Sequence, residues 1–345
     1  MAVPSERSST RFSPASKTVG TRVLCLSPVT LWRRAHLHYP PAMGTPEGFE
    51  DRPLGRTTVL FGERGGRYPH GNSLLVVGSE ETLIIDPSLS VIPRVGRLPR
   101  VDRVLNSHCH EDHIAGNHLF PDVPWHFHEL DLPGIRSLDG LMAIYGFPAP
   151  LDRAFRSLVC EQFHFMPRPD PVALRDADIF ELGRTRVRVV HAPGHTRGHC
   201  FFHIEPDDVL FLGDVELSSF GPYYGDAWSS LEDFETTLRA AKAMHARFYA
   251  TFHHVGVLED RNAFLERIDR FSAVIGAREA RLVEFLREPH TLQEIAEHRF
   301  VYRVQDAVPF AEAVERRSMG QHLERLATEG RVREVEPGRW LALPR

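Results

Sequence analysis

The chain has 345 residues, of which 42% are hydrophobic and 25% charged, with a formal net charge of −5. That size supports one or two domains with a substantial core, and the weak negative charge gives no general attraction to nucleic acid or anionic membranes. No run reaches the roughly eighteen apolar residues of a membrane span. The four cysteines, Cys25, Cys109, Cys160 and Cys200, form no disulfide framework, so a cytoplasmic protein is the simplest expectation.

Residues 1–42 are rich in Ser, Pro and Arg and carry one acid, Glu6. That composition is also that of an organelle transit peptide, but the segment lacks an amphipathic stripe, so a disordered extension, or a start assigned too early with Met43 as the true one, is the favoured expectation there. From Thr57 the chain turns β-rich. Thr57–Phe61, Ser73–Val77 and Thr82–Asp86 are short β-branched or apolar runs between Gly-containing turns, the pattern of an antiparallel meander.

The next apolar run, Val101–Leu105, leads into Ser107-His108-Cys109-His110-Glu111-Asp112-His113, with three imidazoles and a carboxylate converging within one short loop. Neutral imidazole and carboxylate are ligands of Zn²⁺, and a tight loop can present several of them to one ion without help from sulfur. Cys109 alternates away from its neighbours and is expected to be a packed thiol.

Three later strand ends repeat the theme. Arg186–His191 runs into the Gly-marked turn Ala192-Pro193-Gly194-His195-Thr196. Val209–Leu212 ends in Gly213-Asp214, and Arg247–Phe252 ends in His253-His254. His191 and His199 flank the first of these motifs as core or supporting residues. A helical segment is predicted after His113. The apolar residues of an insertion at about 129–170, together with the aromatic run Phe220–Trp228, are either local core or the lid and wall of an apolar pocket.

After about residue 260 the pattern becomes helical. Arg261–Arg287 reads as a long helix ended by Pro289, and Thr291 with Glu294 has capping-box spacing. A third helix is predicted from Pro309 to Glu329. Arg331–Val335 and Arg339–Leu343 then alternate around Glu336-Pro337-Gly338 as a hairpin. Three helices followed by a hairpin is the order of a winged helix, and residues 271–345 hold twelve Arg against twelve Asp plus Glu. A nucleic-acid module normally carries a basic face, so packing or homodimer formation is the favoured role here and nucleic-acid binding the disfavoured one.

The order His-x-His-x-Asp-His, Pro-Gly-His-Thr, Gly-Asp and strand-terminal His resembles the metallo-β-lactamase superfamily, in particular its glyoxalase II-like metallohydrolases, over roughly residues 57–260. The C-terminal module resembles that of the branch containing a mitochondrial single-strand endoribonuclease. These resemblances imply an α/β fold, an αββα sandwich over residues 43–260 followed by a helical winged-helix-like domain over 261–345.

They also imply two zinc ions, one held by His108, His110 and His195 and the other by Asp112, His113 and either His253 or His254, with Asp214 bridging; iron and manganese accept the same ligand types. The expected function is a hydrolase in which Asp112 and Asp214 orient a metal-bridging hydroxide for attack on a small-molecule thioester or acyl ester with an apolar acyl part. A metal-dependent endoribonuclease acting on single-stranded RNA is the alternative. The glutathione-binding domain of glyoxalase II has no counterpart in the pattern.

Overall fold

The computed structural model describes residues 50–344, so the expectation for residues 1–42 and the first residues of the 43–260 domain lie outside the described part. Seven strands form one sheet in sequence order: β1 (Arg52–Leu54), β2 (Thr57–Leu60), β3 (Ser73–Val77), β4 (Thr82–Ile85), β5 (Arg103–Leu105), β6 (Trp125–His128) and β7 (Val172–Leu174). The first four pair antiparallel, as the meander pattern predicts, and the pairings from β4 to β7 are parallel. Six more form a second sheet in the order β13-β12-β11-β10-β9-β8: β8 (Ile179–Glu181), β9 (Arg186–His191), β10 (Cys200–Glu205), β11 (Val209–Phe211), β12 (Phe248–Ala250) and β13 (Val257–Leu258).

Side-chain alternation explains why these strands read as continuous apolar runs. Leu74 and Val76 of β3, Leu83 and Ile85 of β4 and Leu105 of β5 point inward, where they meet Phe202, Ile204, Val209 and Phe211 of the second sheet. The intervening Leu75, Ile84 and Val104 point outward into a core formed with residues of helices Leu138–Tyr145 and Ala149–Glu161. Phe201, Leu210 and Tyr249 point outward from the second sheet against Phe234 and Leu238 of helix Leu231–Ala243 and Phe264 and Ile268 of helix Arg261–Phe285. A sheet covered on both faces needs apolar residues at successive positions, and the four resulting layers are helix, sheet, sheet, helix.

The helix predicted directly after His113 is not formed. That segment is a string of turns with one 3₁₀ turn at Asn117–Leu119, and the paired amides of Asn106 and Asn117 pin it to the end of β5. Pro121 and Pro124 also leave it little room to propagate as a helix. The insertion's Leu141, Ile144, Tyr145, Phe147, Phe155 and Phe163 are buried in the core over the first sheet, as the local-core alternative expects.

The C-terminal elements follow the predicted order closely. Helix Arg261–Phe285 leads to β14 (His290–Thr291), helix Leu292–His298, helix Ala311–Thr328 and the hairpin β15 (Val332–Glu336) and β16 (Arg339–Ala342). The Thr291–Glu294 capping box is formed. These elements share a core of their own, built around Leu282, Ile295, Phe300, Met319, Leu323 and Val332.

Candidate metal centre

Strand ends on one rim of the two sheets bring the candidate residues together. His108, His110, His195 and Asp214 form one buried group with ligand atoms within 4.8 Å of one another, and Asp112, His113 and His253 form a second. Asp214 lies between them: Oδ2 is 3.1 Å from His195 Nε2 and Oδ1 is 2.9 Å from His113 Nε2. In the second group His253 Nε2 lies 2.9 Å from Asp112 Oδ2. Bonds of 2.0–2.1 Å in a tetrahedral site put neighbouring ligand atoms about 3.3 Å apart, so these spacings have the scale of coordination-polyhedron edges.

His254 does not join either group. Its backbone is left-handed at φ 61°, and its ring turns to Glu216, 3.6 Å away. Glu216 was not foreseen from the sequence, yet it forms a third potential group with Asp214 and His253. Cys109 is fully buried in the apolar core.

Each inward-facing imidazole is fixed through its other nitrogen. His113 Nδ1 donates to Asp86 Oδ2 at 2.8 Å, and Asp86 in turn accepts from the Ser107 N–H and hydroxyl, both at 2.6 Å. His108 Nδ1 contacts Ser107 Oγ at 3.0 Å, and His195 Nδ1 donates to the Tyr223 carbonyl at 3.0 Å. His253 Nδ1 donates to the Gly66 carbonyl at 2.6 Å, and His110 Nε2 meets Asp226 Oδ2 at 3.0 Å. Such outer partners set ring orientation and ligand basicity in metal sites. Asp131 ties two of the loops together by accepting from Thr196 Oγ1 and the Gly198 N–H.

Asp214 is aimed by its own backbone. Its N–H donates to His199 Nε2 at 3.1 Å, and the preceding Gly213 adopts φ 50° where a Cβ would come within 2.5 Å of that same nitrogen. Burial holds His199 down to about 3, which keeps it a neutral acceptor. Of the core or supporting roles expected for His199, the structure shows the second, as a support of Asp214.

The electrostatics favour a bound cation. Among the described residues, the buried His108 Nε2, His113 Nε2 and Asp214 Oδ1 make no well-aligned hydrogen bond, an arrangement costly for polar atoms unless something else satisfies them. Burial, reinforced by His113, His110 and His195, pushes the His108 pKa well down, so its lone pair is free. Burial also pulls His253 down, but Asp214 and Asp112 outweigh it and carry the imidazole up to about 9, so a metal ion there would take the place of a proton. The donor set and its unpartnered atoms therefore fit a pair of divalent ions.

Asp86, Asp131 and Asp226 were missed from the sequence. Asp86 ends a strand as Asp214 does, which was the available signal. Tyr68 and Tyr145 were missed as well; both hydroxyls donate to the buried Glu111 within the metal loop.

The family model of the metallo-beta-lactamase superfamily matches residues 67–271, and the chain belongs to that superfamily of hydrolases. A hydroxyacylglutathione hydrolase of Methylococcus capsulatus is 32% identical over 208 residues, spanning 57% of this chain and 70% of that protein. An acyl-coenzyme A thioesterase of Gallus gallus is 28% identical over 197 residues, spanning 50% and 68%. An atrochrysone carboxyl ACP thioesterase of Aspergillus fumigatus is 26% identical over 222 residues, spanning 61% and 60%. Among solved structures, a metallo-beta-lactamase family protein of Thermus thermophilus shares the fold with a TM-score of 0.63 at 24% identity, covering 84% of this chain and 99% of that one. Among the described residues no helix is long and apolar enough to cross a membrane.

Proposed function

We propose that the chain is a two-metal hydrolase of small thioesters or acyl esters, with zinc as the ion that the imidazole-rich donor set suits. The observation that carries this reading is the convergence of two buried ligand groups on the shared carboxylate of Asp214. His108, His110 and His195 would hold the first ion and Asp112, His113 and His253 the second. When bound, such a pair activates water near neutral pH and polarises the carbonyl it attacks.

The chain's own residues complete the chemistry. Asp112 belongs to the second group and Asp214 is shared by both, and the two carboxylates would orient the attacking water. Tyr223, whose ring centroid is 5.7 Å from that of His195, and Trp228 in the same loop would flank the apolar acyl part. Thioesterases among the relatives support this substrate class. Residues 43–260 would form the catalytic domain, with the first half of helix Arg261–Phe285 packed on its second sheet, and the rest of 261–345 a winged-helix-like module, whose twelve Arg and twelve acids over residues 271–345 give no net attraction to RNA.

The test combines metal content with salt dependence. Elemental analysis should find two divalent ions per chain, and Asp214→Ala should lower kcat/KM on model thioesters by about a thousandfold or more, since it removes the ligand common to both groups. Thioester hydrolysis should change little between about 50 and 200 mM salt, a range over which phosphate-contacting proteins lose orders of magnitude in affinity. Metal-dependent cleavage of single-stranded RNA without turnover of any thioester or ester would overturn the assignment.

A further inference from the structure

The loop from Phe220 to Ser230 has no regular secondary structure, yet Gly221, Pro222, Tyr224, Gly225 and Asp226 are buried. An irregular buried segment must find partners for its backbone carbonyls outside itself. Here side chains of the C-terminal elements supply them. Arg278 donates to the Phe220 and Pro222 carbonyls at 2.7 and 2.5 Å. Gln321 Nε2 donates to the Tyr224 carbonyl at 2.9 Å, while its Oε1 accepts the Leu231 N–H at 2.6 Å. Arg317 donates to the Gly225 carbonyl at 3.4 Å and also to the carbonyls of Tyr145 and Gly146, capping the end of helix Leu138–Tyr145 with positive charge.

The same loop faces the metal centre with its other groups. The Tyr223 carbonyl accepts from His195 Nδ1, Asp226 Oδ2 lies 3.0 Å from His110 Nε2, and the Tyr223 hydroxyl donates to Asp226 Oδ1 at 3.0 Å. Ser229 Oγ donates to the His195 carbonyl at 2.7 Å. Tyr145, whose carbonyl Arg317 holds, stacks on His110 with ring centroids 5.1 Å apart. The second ligand group has different supports: His113 leans on Asp86 at the end of β4 and His253 on the Gly66 carbonyl.

We propose that Arg317 and Gln321 are positioning residues for one half of the metal centre, so that the C-terminal module is the outer brace of His110 and His195 and reaches the Asp112–His113–His253 group less directly, through Tyr145 and Glu111. This rests on the reading that these imidazoles hold metal. The brace works through two steps, from side chain to loop carbonyl and from loop to imidazole nitrogen. Its removal should therefore cost less than loss of a direct outer partner, which typically weakens metal binding 10–100-fold.

The experiment measures Co²⁺ affinity by chelator competition in the full chain, using His253→Ala to isolate the first group and His195→Ala to isolate the second. Adding Arg317→Ala or Gln321→Glu should weaken binding to the first group by about 3- to 10-fold and change the second by less than about 2-fold. Gln321→Glu keeps an acceptor for Leu231 and replaces the donor to Tyr224 with a carboxylate oxygen that repels that carbonyl, so it loosens the brace even where Arg317→Ala fails to fold. Arg317→Lys should restore part of the loss, and Arg339→Ala, in the same module but directed at the Pro289 carbonyl, should have no effect. Equal weakening of both groups, or none, overturns the proposal. A parent chain that takes up no ion at His108, His110 and His195 overturns the underlying metal assignment instead, and this proposal with it.

Discussion

Two buried carboxylates, Glu315 in the C-terminal module and Asp214 in the metal centre, have opposite surroundings. Glu315 is fully buried and saturated: its oxygens accept the N–H groups of Phe300, Val301 and Tyr302 at 2.8–3.1 Å. Among the described residues, Asp214 Oδ1 makes no well-aligned hydrogen bond, although His113 Nε2 lies 2.9 Å away. Burial raises the pKa of Glu315 against the pull of those N–H groups. Burial likewise opposes ionisation of Asp214, but His113, His195 and His253 hold its pKa well below the usual carboxylate range. A saturated buried carboxylate organises backbone, and an unsaturated one among imidazoles is poised for a ligand.

The comparison can be broken most directly at Glu315. Glu315→Ala strands the buried N–H donors of Phe300 and Tyr302 and the half-buried one of Val301 and should destabilise the fold by about 3–5 kcal/mol, read as a lower urea midpoint. Metal content per folded chain should stay at the parent value. A loss of metal without a loss of stability would show that saturation does not mark a structural role.

Asp86 sharpens the contrast from the other side, because it is fully buried and saturated yet acts on the centre through His113. Asp86→Asn keeps the shape and removes the charge that orients the ring. Metal affinity of the second group should fall about 10-fold in competition with a chelator. An unchanged affinity would remove Asp86 from the support of the site.

The smallest expected effect concerns pH. Hydrogen bonds from His322, Arg331 and Arg325 bring Glu279 down from 4.5 to about 2. A depressed carboxylate stabilises the fold above its unfolded pKa and loses that contribution as pH falls, here between about 4.5 and 2. After allowance for solvent screening the contribution is about 1–2 kcal/mol. Glu279→Gln should therefore be less stable than the parent at pH 7 by that amount, with the two denaturation curves converging near pH 2. A constant gap across that range would mean that the charge of Glu279 contributes nothing.

Local pattern was enough to mark both ends of this molecule. The strands carrying the ligand groups are legible because residues covered on both faces must be apolar at successive positions, and each ends on a His or Asp. The capping box at Thr291–Glu294 and the C-terminal hairpin are legible because capping and turn chemistry act over a few residues. Tertiary structure alone decided which groups support the ligands. Asp86 reaches His113 across 27 positions, Asp226 reaches His110 from a distant loop, and no local spacing encodes either pairing. The same holds for His253 over His254: adjacent and chemically identical, they are separated by a left-handed backbone at His254 that aims one ring at Asp112 and the other at Glu216. Residue type is written in the chain, whereas the direction of a side chain is set by backbone conformation and by packing partners distant in sequence.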